Sequence, residues 1–283
     1  MIKLEKGNTI GILALAGDCD KETTDNAVLN LQNAGYRVKL SSNIYKKERY
    51  LAGSDDDRVT ALHDFFKDPE IDLIMAARGG YGTLKILQKI DCRLIKNNPK
   101  PIIGYSDITA LLLTVYKKTG LITYHGPMGV SFSDEKFNKF TLDNMIKALN
   151  NETLELEGDK IFNKGSAKGI IWGGNLTTAA SMCGLDFIPN EDFIFFAEDI
   201  NEPAYKIDRM FTQLFNINKF KNNCKGIVLG DFLGVDNREW LDEFFSTLPC
   251  PAAGGFKITH DREMVTIPVG KQAVLEGKHL VIG

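Results

Sequence analysis

From residue 9 to about residue 120, short apolar runs alternate with segments whose apolar residues recur at helical spacing, and this alternation constrains the fold more than any other feature. The runs are Thr9 to Ala16, Tyr36 to Leu40, Ile71 to Ala77 and Pro101 to Tyr105. Between them Val28, Leu31 and Ala34 fall on one helical face, as do Val59, Leu62 and Phe66, and each stripe needs a sheet to cover it. A strand, a crossover helix and a second strand in the same sheet make a parallel pair. The first 150 residues therefore read as an α/β layer with a doubly wound parallel sheet.

Residues 151–169 turn polar and glycine-punctuated, the texture of a boundary or crossover. A second unit is expected over 165–283. It should hold a strand at Phe193 to Ala197, a helix carrying Ile207, Met210, Phe211 and Leu214, and strands near Ile227 and at the C-terminus.

Composition narrows the function classes. With 43% apolar and 25% charged residues in 283, the chain is neither disordered nor a disulfide scaffold. Its 34 Lys and Arg against 37 Asp and Glu leave no basic excess for a nucleic-acid backbone, so nucleic acid is not expected as a partner. The five cysteines form no CxxC pair and read as reduced thiols of a cytosolic protein. No apolar run approaches the roughly 18 residues of a membrane span, so no membrane partner is expected. Lys3 and Lys6 before the apolar run Thr9 to Gly17, with Cys19 nearby, mimic a leader, but Glu5 and Asp18 break the pattern and favour a buried first strand.

Chemistry is most strongly suggested by Pro101-Ile-Ile-Gly-Tyr-Ser106-Asp107, where a serine stands between a strand and a helix. A tight turn there lifts the hydroxyl from the sheet edge and aims the Asp107 N–H at a developing oxyanion. The alternative is a plain helix cap, because the closing glycine of G-x-S-x-G is missing. Arg78-Gly79-Gly80-Tyr81-Gly82 is a second strand-to-helix turn, able to hold an anion on its N–H groups or simply to turn the chain. It lacks the third glycine of a dinucleotide loop and the Gly-Lys-Ser/Thr of a phosphate loop, and no other cofactor fingerprint is present.

A serine nucleophile needs a base. His63 reads as helical and His279 as part of a terminal strand, which leaves His125 and His260. The acid that orients a base is sought at Glu198, at the end of Phe193-Ile-Phe-Phe-Ala, although by itself a solvated loop acid beside Asp199 and Glu202 is the commoner reading. Metal chemistry has little support, since His260-Asp-Arg-Glu263 is a lone H-x-x-E. Ser54 to Asp57 and Asn175 read as helix caps.

Taken together, Arg78-Gly-Gly-Tyr-Gly82, Gly104-Tyr-Ser-Asp107, His125-Gly-Pro127, Gly173-Gly-Asn-Leu176, Phe196-Ala-Glu-Asp199 with Tyr205-Lys-Ile-Asp-Arg209, and Pro268-Val-Gly270 resemble the LD-carboxypeptidase family of serine peptidases, which includes microcin-immunity peptidases. The resemblance implies an N-terminal α/β domain bearing the nucleophile and a smaller β-rich C-terminal domain bearing acid and base. Carried over motif by motif, Ser106 is the nucleophile, Glu198 the orienting acid and His260 the base. The N–H of Asp107 and one from Gly79 or Gly80 form the oxyanion hole. The implied activity is removal of the C-terminal D-alanine from murein tetrapeptides, without cofactor, by a cytosolic homodimer.

Arg78 and Arg209 are candidates to neutralise the substrate's terminal carboxylate. Trp172 and Tyr81 are candidates to stack on a base, should the substrate be an aminoacyl-nucleotide conjugate. Around the base the chain departs from the family: Thr259 stands where a glycine is common, and Met264 where an asparagine is. A stiffer backbone and a lost hydrogen bond predict a differently set loop, and with it a third reading, a muropeptide-binding module without hydrolysis.

Overall fold

The computed structural model describes residues 3–134 and 138–283. Strands β1 (Thr9–Leu13), β2 (Arg37–Leu40), β3 (Leu73–Ala76), β4 (Ile102–Gly104) and β5 (Thr123–His125) run parallel in the order β2-β1-β3-β4-β5. Every residue of β1, β3 and β4 is buried, which is why these strands read as unbroken apolar runs rather than alternating ones. The leader-like run thus supplies an interior strand.

Strand order reverses between β1 and β3. Loops leaving those strands diverge to opposite faces and open a crevice over their carboxyl ends, the place where open α/β sheets bind ligands. The helix Lys21–Asn33, capped by Asp20, buries Thr24, Ala27 and Leu31, a stripe one residue away from the expected one, with Val28 only half-buried. The helix Asp55–Lys67 begins with a Ser54/Asp57 capping box, as its sequence predicts.

Downstream come β6 (Leu154–Glu157), β7 (Lys160–Asn163), β8 (Ser166–Asn175), β9 (Phe193–Ile200), β10 (Cys224–Leu233), β11 (Ala252–Gly254), β12 (Ile267–Val269), β13 (Gln272–Glu276) and β14 (His279–Ile282). All but β12 form one sheet, ordered β6-β14-β13-β8-β9-β10-β11-β7, with β8 to β11 parallel at its centre. The stretch expected as a crossover therefore carries β6 and β7, two edge strands that expose half of their residues and so give no apolar run. Strand β12 returns to the first sheet, antiparallel to β5, and knits the two halves together.

The second contact between the halves is close. Gly173 and Gly174 precede Asn175, the last residue of β8, and a Cβ on Gly174 would lie 2.6 Å from Cγ2 of Thr109, at the start of the helix Thr109–Thr119. Asn175 then donates its N–H to Thr109 Oγ1 at 3.1 Å while its side chain caps the helix Leu176–Ser181. The helix behind Ser106 is thereby docked on the strand beside Glu198.

Candidate active site

Ser106 follows β4 with φ +60°, a left-handed conformation that costs an L-residue about 1–2 kcal/mol. Tyr105 before it is extended, and a short helical turn Ser106–Ile108 leads directly into Thr109–Thr119. No side chain caps either helical start, so the hydroxyl is not used as a cap. A strained, half-buried serine that lines a cleft at a strand-to-helix turn has the shape of a nucleophile elbow.

The glycine turn after β3 closes against it. A Cβ on Gly79 would stand 2.9 Å from Ser106 Cβ, 3.0 Å from its Oγ and 3.6 Å from the Asp107 nitrogen, so only glycine lets the turn approach this far. Gly80 has φ +122°, and Gly17 donates its N–H to Gly79 O at 3.2 Å, fixing the turn against the loop after β1. The backbone of Gly79 and Gly80 thus lies beside the N–H of Asp107.

Across the cleft, His260 Nδ1 lies 2.6 Å from Glu198 Oε2. Glu198 is fully buried because β9 runs between β8 and β10, and it pairs in register with Asn175. Burial raises the Glu198 carboxyl above its ordinary range, against the pull of His260. For His260, burial pulls the imidazole down, but the hydrogen bond and negative charge of Glu198 outweigh it and hold the proton more tightly than usual. With Nδ1 committed to Glu198, Nε2 is the nitrogen left for chemistry. Neighbouring Asp199 braces the strand end, accepting from Asn175 Nδ2 at 3.1 Å and from Thr177 N and Oγ1 at 2.8 Å each.

The loop that carries His260 is set by its unusual residues. Thr259 is buried and its hydroxyl accepts the Asp261 N–H at 3.0 Å, a local turn that glycine could not make. Met264 is buried, and its N–H donates to Thr141 Oγ1 at 3.1 Å while that hydroxyl donates to Arg262 O at 2.7 Å. Arg262 also pairs with Asp134. These bonds hold the loop so that His260 meets Glu198.

His125, expected in a loop, ends β5 and is fully buried. Burial, reinforced by His260, pulls its pKa down to about 3. Neither ring nitrogen has a hydrogen-bond partner among the described residues, and its ring packs edge-on against Phe196 at 5.2 Å and Tyr105 at 6.2 Å. Tyr105 in turn meets the His260 ring edge-on at 4.9 Å.

Ser106 and His260 line one cleft of about 380 Å³, over the carboxyl ends of β1, β3 and β4. Arg78, Gly79 and Gly80 form one wall, and Met128 and Val130 supply apolar surface. Arg78 is exposed and spends one donor on Asp18 O at 3.0 Å. The other expected contacts are corrected. Trp172 is fully buried among Phe187, Phe193, Phe195 and Phe220, because β8 is central in its sheet and covered on both faces. Tyr81 and Arg209 are exposed outside the cleft lining, Arg209 lying over the Tyr205 ring.

Asn175 caps its helix as the sequence predicts, whereas Thr83 and Thr109 were not singled out as parts of this framework. Thr83 Oγ1 and N–H both bond the Asp107 carboxylate. Its position directly after the glycine turn was the one available signal.

The same architecture occurs in known proteins. Residues 10–126 match the LD-carboxypeptidase N-terminal domain and residues 168–275 the LD-carboxypeptidase C-terminal domain. The chain is 34% identical to a probable murein peptide carboxypeptidase of Bacillus subtilis, over 96% of this chain and 90% of that protein. In structure it is similar to an MccF-like protein from Bacillus anthracis, with a TM-score of 0.91, 29% identity, and coverage of 99% of this chain and 98% of the other. It is also similar to a muramoyltetrapeptide carboxypeptidase from Oxalobacter formigenes, with a TM-score of 0.89, 27% identity, and coverage of 98% and 99%. With both halves matched in order, this chain belongs to the LD-carboxypeptidase family of serine peptidases.

Proposed function

We propose that the chain is a serine carboxypeptidase that removes the C-terminal D-alanine from murein tetrapeptides, cutting the bond between the diamino acid and that alanine. The observation that carries this reading is the convergence of a left-handed Ser106 and a His260 held by buried Glu198 on a single cleft. Similarity to the murein peptide carboxypeptidase of B. subtilis supports the choice of substrate.

In the first step His260 Nε2 takes the Ser106 proton while Oγ attacks the scissile carbonyl carbon. The carbonyl oxygen becomes an oxyanion beside the N–H of Asp107 and the Gly79-Gly80 turn. Collapse expels the alanine amine, which receives the proton from His260. Water, deprotonated by the same histidine, then releases the tripeptide acid and restores Ser106. Arg78, with donors to spare at the cleft wall, is the group that would take the terminal carboxylate. A cytosolic setting fits the five free thiols, and a homodimer is expected of the family.

A second reading, hydrolysis of an aminoacyl-nucleotide conjugate, is favoured by the likeness to the microcin immunity protein MccF, whose structures hold glutamyl sulfamoyl guanosine and aspartyl sulfamoyl adenosine. It would use the same serine and histidine, but Trp172 is buried and cannot stack on a base. Purified protein and its Ser106→Ala variant, each given a murein tetrapeptide and an aminoacyl-sulfamoyl adenylate, separate the readings by product mass. Loss of one alanine by wild type only is the expected result. Cleavage of the adenylate alone moves the chain to the second reading, and binding of either without cleavage of any makes it a non-catalytic binding module.

A further inference from the structure

Asp107 is nine-tenths buried, and its Oδ2 accepts two hydrogen bonds from Thr83, from N at 2.8 Å and Oγ1 at 2.6 Å. Thr83 opens the short helix Thr83–Ile86 at the far end of the glycine turn, and Gly82 before it has no side chain with which to cap that start. The cap comes instead from the neighbouring loop, 24 residues along the chain. Fully buried Arg58 holds the same end from below, donating to Gly82 O and Leu15 O at 2.9 Å each. At its near end the turn is tied through Gly79 O to Gly17.

We propose that the Asp107 side chain is the positioning residue of the oxyanion site. Its main chain offers one donor, and its carboxylate fixes the distance to the others by clamping the turn that carries Gly79 and Gly80. The inference rests on the reading of Ser106 as nucleophile. It needs no particular substrate, because any addition to Ser106 that develops negative charge on oxygen uses the same donors.

A fluorophosphonate tests it directly. Ser106 Oγ forms a bond to phosphorus, the phosphorus–fluorine bond breaks, fluoride leaves and His260 takes the serine proton, while the phosphoryl oxygen sits where the oxyanion would. Asp107→Ala is expected to slow labelling of Ser106 about 10²-fold, the scale of a displaced catalytic group, with tetrapeptide KM changed by less than about threefold. Asp107→Asn keeps an oxygen that accepts both Thr83 bonds, so its labelling should recover to within about tenfold of wild type. Thr83→Ala removes only the hydroxyl bond and should fall between the two.

Wild-type labelling by Asp107→Ala overturns the proposal, as does an Asparagine variant no faster than the alanine one. A loss that appears in KM rather than in kcat and labelling also overturns it, since that pattern marks a binding or folding role. Failure of wild type to label removes Ser106 as nucleophile and the proposal with it. Labelling without tetrapeptide cleavage refutes only the substrate, and the variants' relative labelling rates then decide.

Discussion

His260 Nδ1 and Glu198 Oε2 stand 2.6 Å apart, with the carboxylate wholly buried and the imidazole reaching the cleft. Burial alone would lower the imidazole pKa below 6.5, and Glu198 is what raises it above that value. A general base works only when unprotonated, so wild-type kcat/KM should rise with pH through an inflection above 6.5. In Glu198→Gln the inflection should move below 6.5. The amide also donates to Nδ1 and forces the proton onto Nε2, which should lower the plateau by roughly 10⁴-fold. An unmoved inflection would show that Glu198 does not govern the base.

Gly79 tests the approach of the two loops. Its Cβ position overlaps the contact distance of Ser106 Cβ and Oγ, at 2.9 and 3.0 Å. Gly79→Ala must push the elbow away by a few tenths of an ångström, at an overpacking cost of about 1–3 kcal/mol. The fold should survive, whereas fluorophosphonate labelling should drop by about 10²-fold. Full labelling in this variant would mean that the turn lies apart from the reacting oxygen.

His125 makes a prediction about stability rather than rate. In the unfolded chain it takes a proton near pH 6.5, and in the folded chain only near pH 3. Between those values the unfolded state binds more protons, so stability falls as pH drops, by at most about 1.4 kcal/mol per pH unit. His260, whose pKa is raised, works in the opposite sense but only above pH 6.5, outside that range. Urea melts of wild type and His125→Phe, compared at each pH, isolate the His125 contribution. The variant should gain on wild type steadily below pH 6.5; parallel pH curves would contradict a buried neutral imidazole.

Much of this was readable in the residues. Continuous apolar runs marked β1, β3 and β4 because parallel strands covered on both faces need no alternation. Ser106 and the glycine turn stood out because each follows such a run. What stayed hidden depends on distant chain. Whether Glu198 is a surface acid or a buried one is decided by β8 and β10 on either side of it, and Glu-Asp reads the same in both cases. His125 looks like a loop histidine until β12, arriving from residue 267, pairs with it. The left-handed φ of Ser106 has no signature in its own side chain.

Trp172 shows the same limit from the other side, since it reads as a candidate to stack on a base while its strand lies in the middle of its sheet. Its ring is packed at 5.1 to 6.3 Å from four phenylalanines, and none of its surface reaches solvent. Trp172→Ala should therefore cost about 3–5 kcal/mol of stability through the cavity it leaves. Trp172→Phe keeps most of the apolar contact and should cost less. In both variants the folded fraction should keep wild-type KM for whichever substrate is cleaved, measured well below the melting temperature. A variant of normal stability with weakened binding would instead put this ring at the substrate.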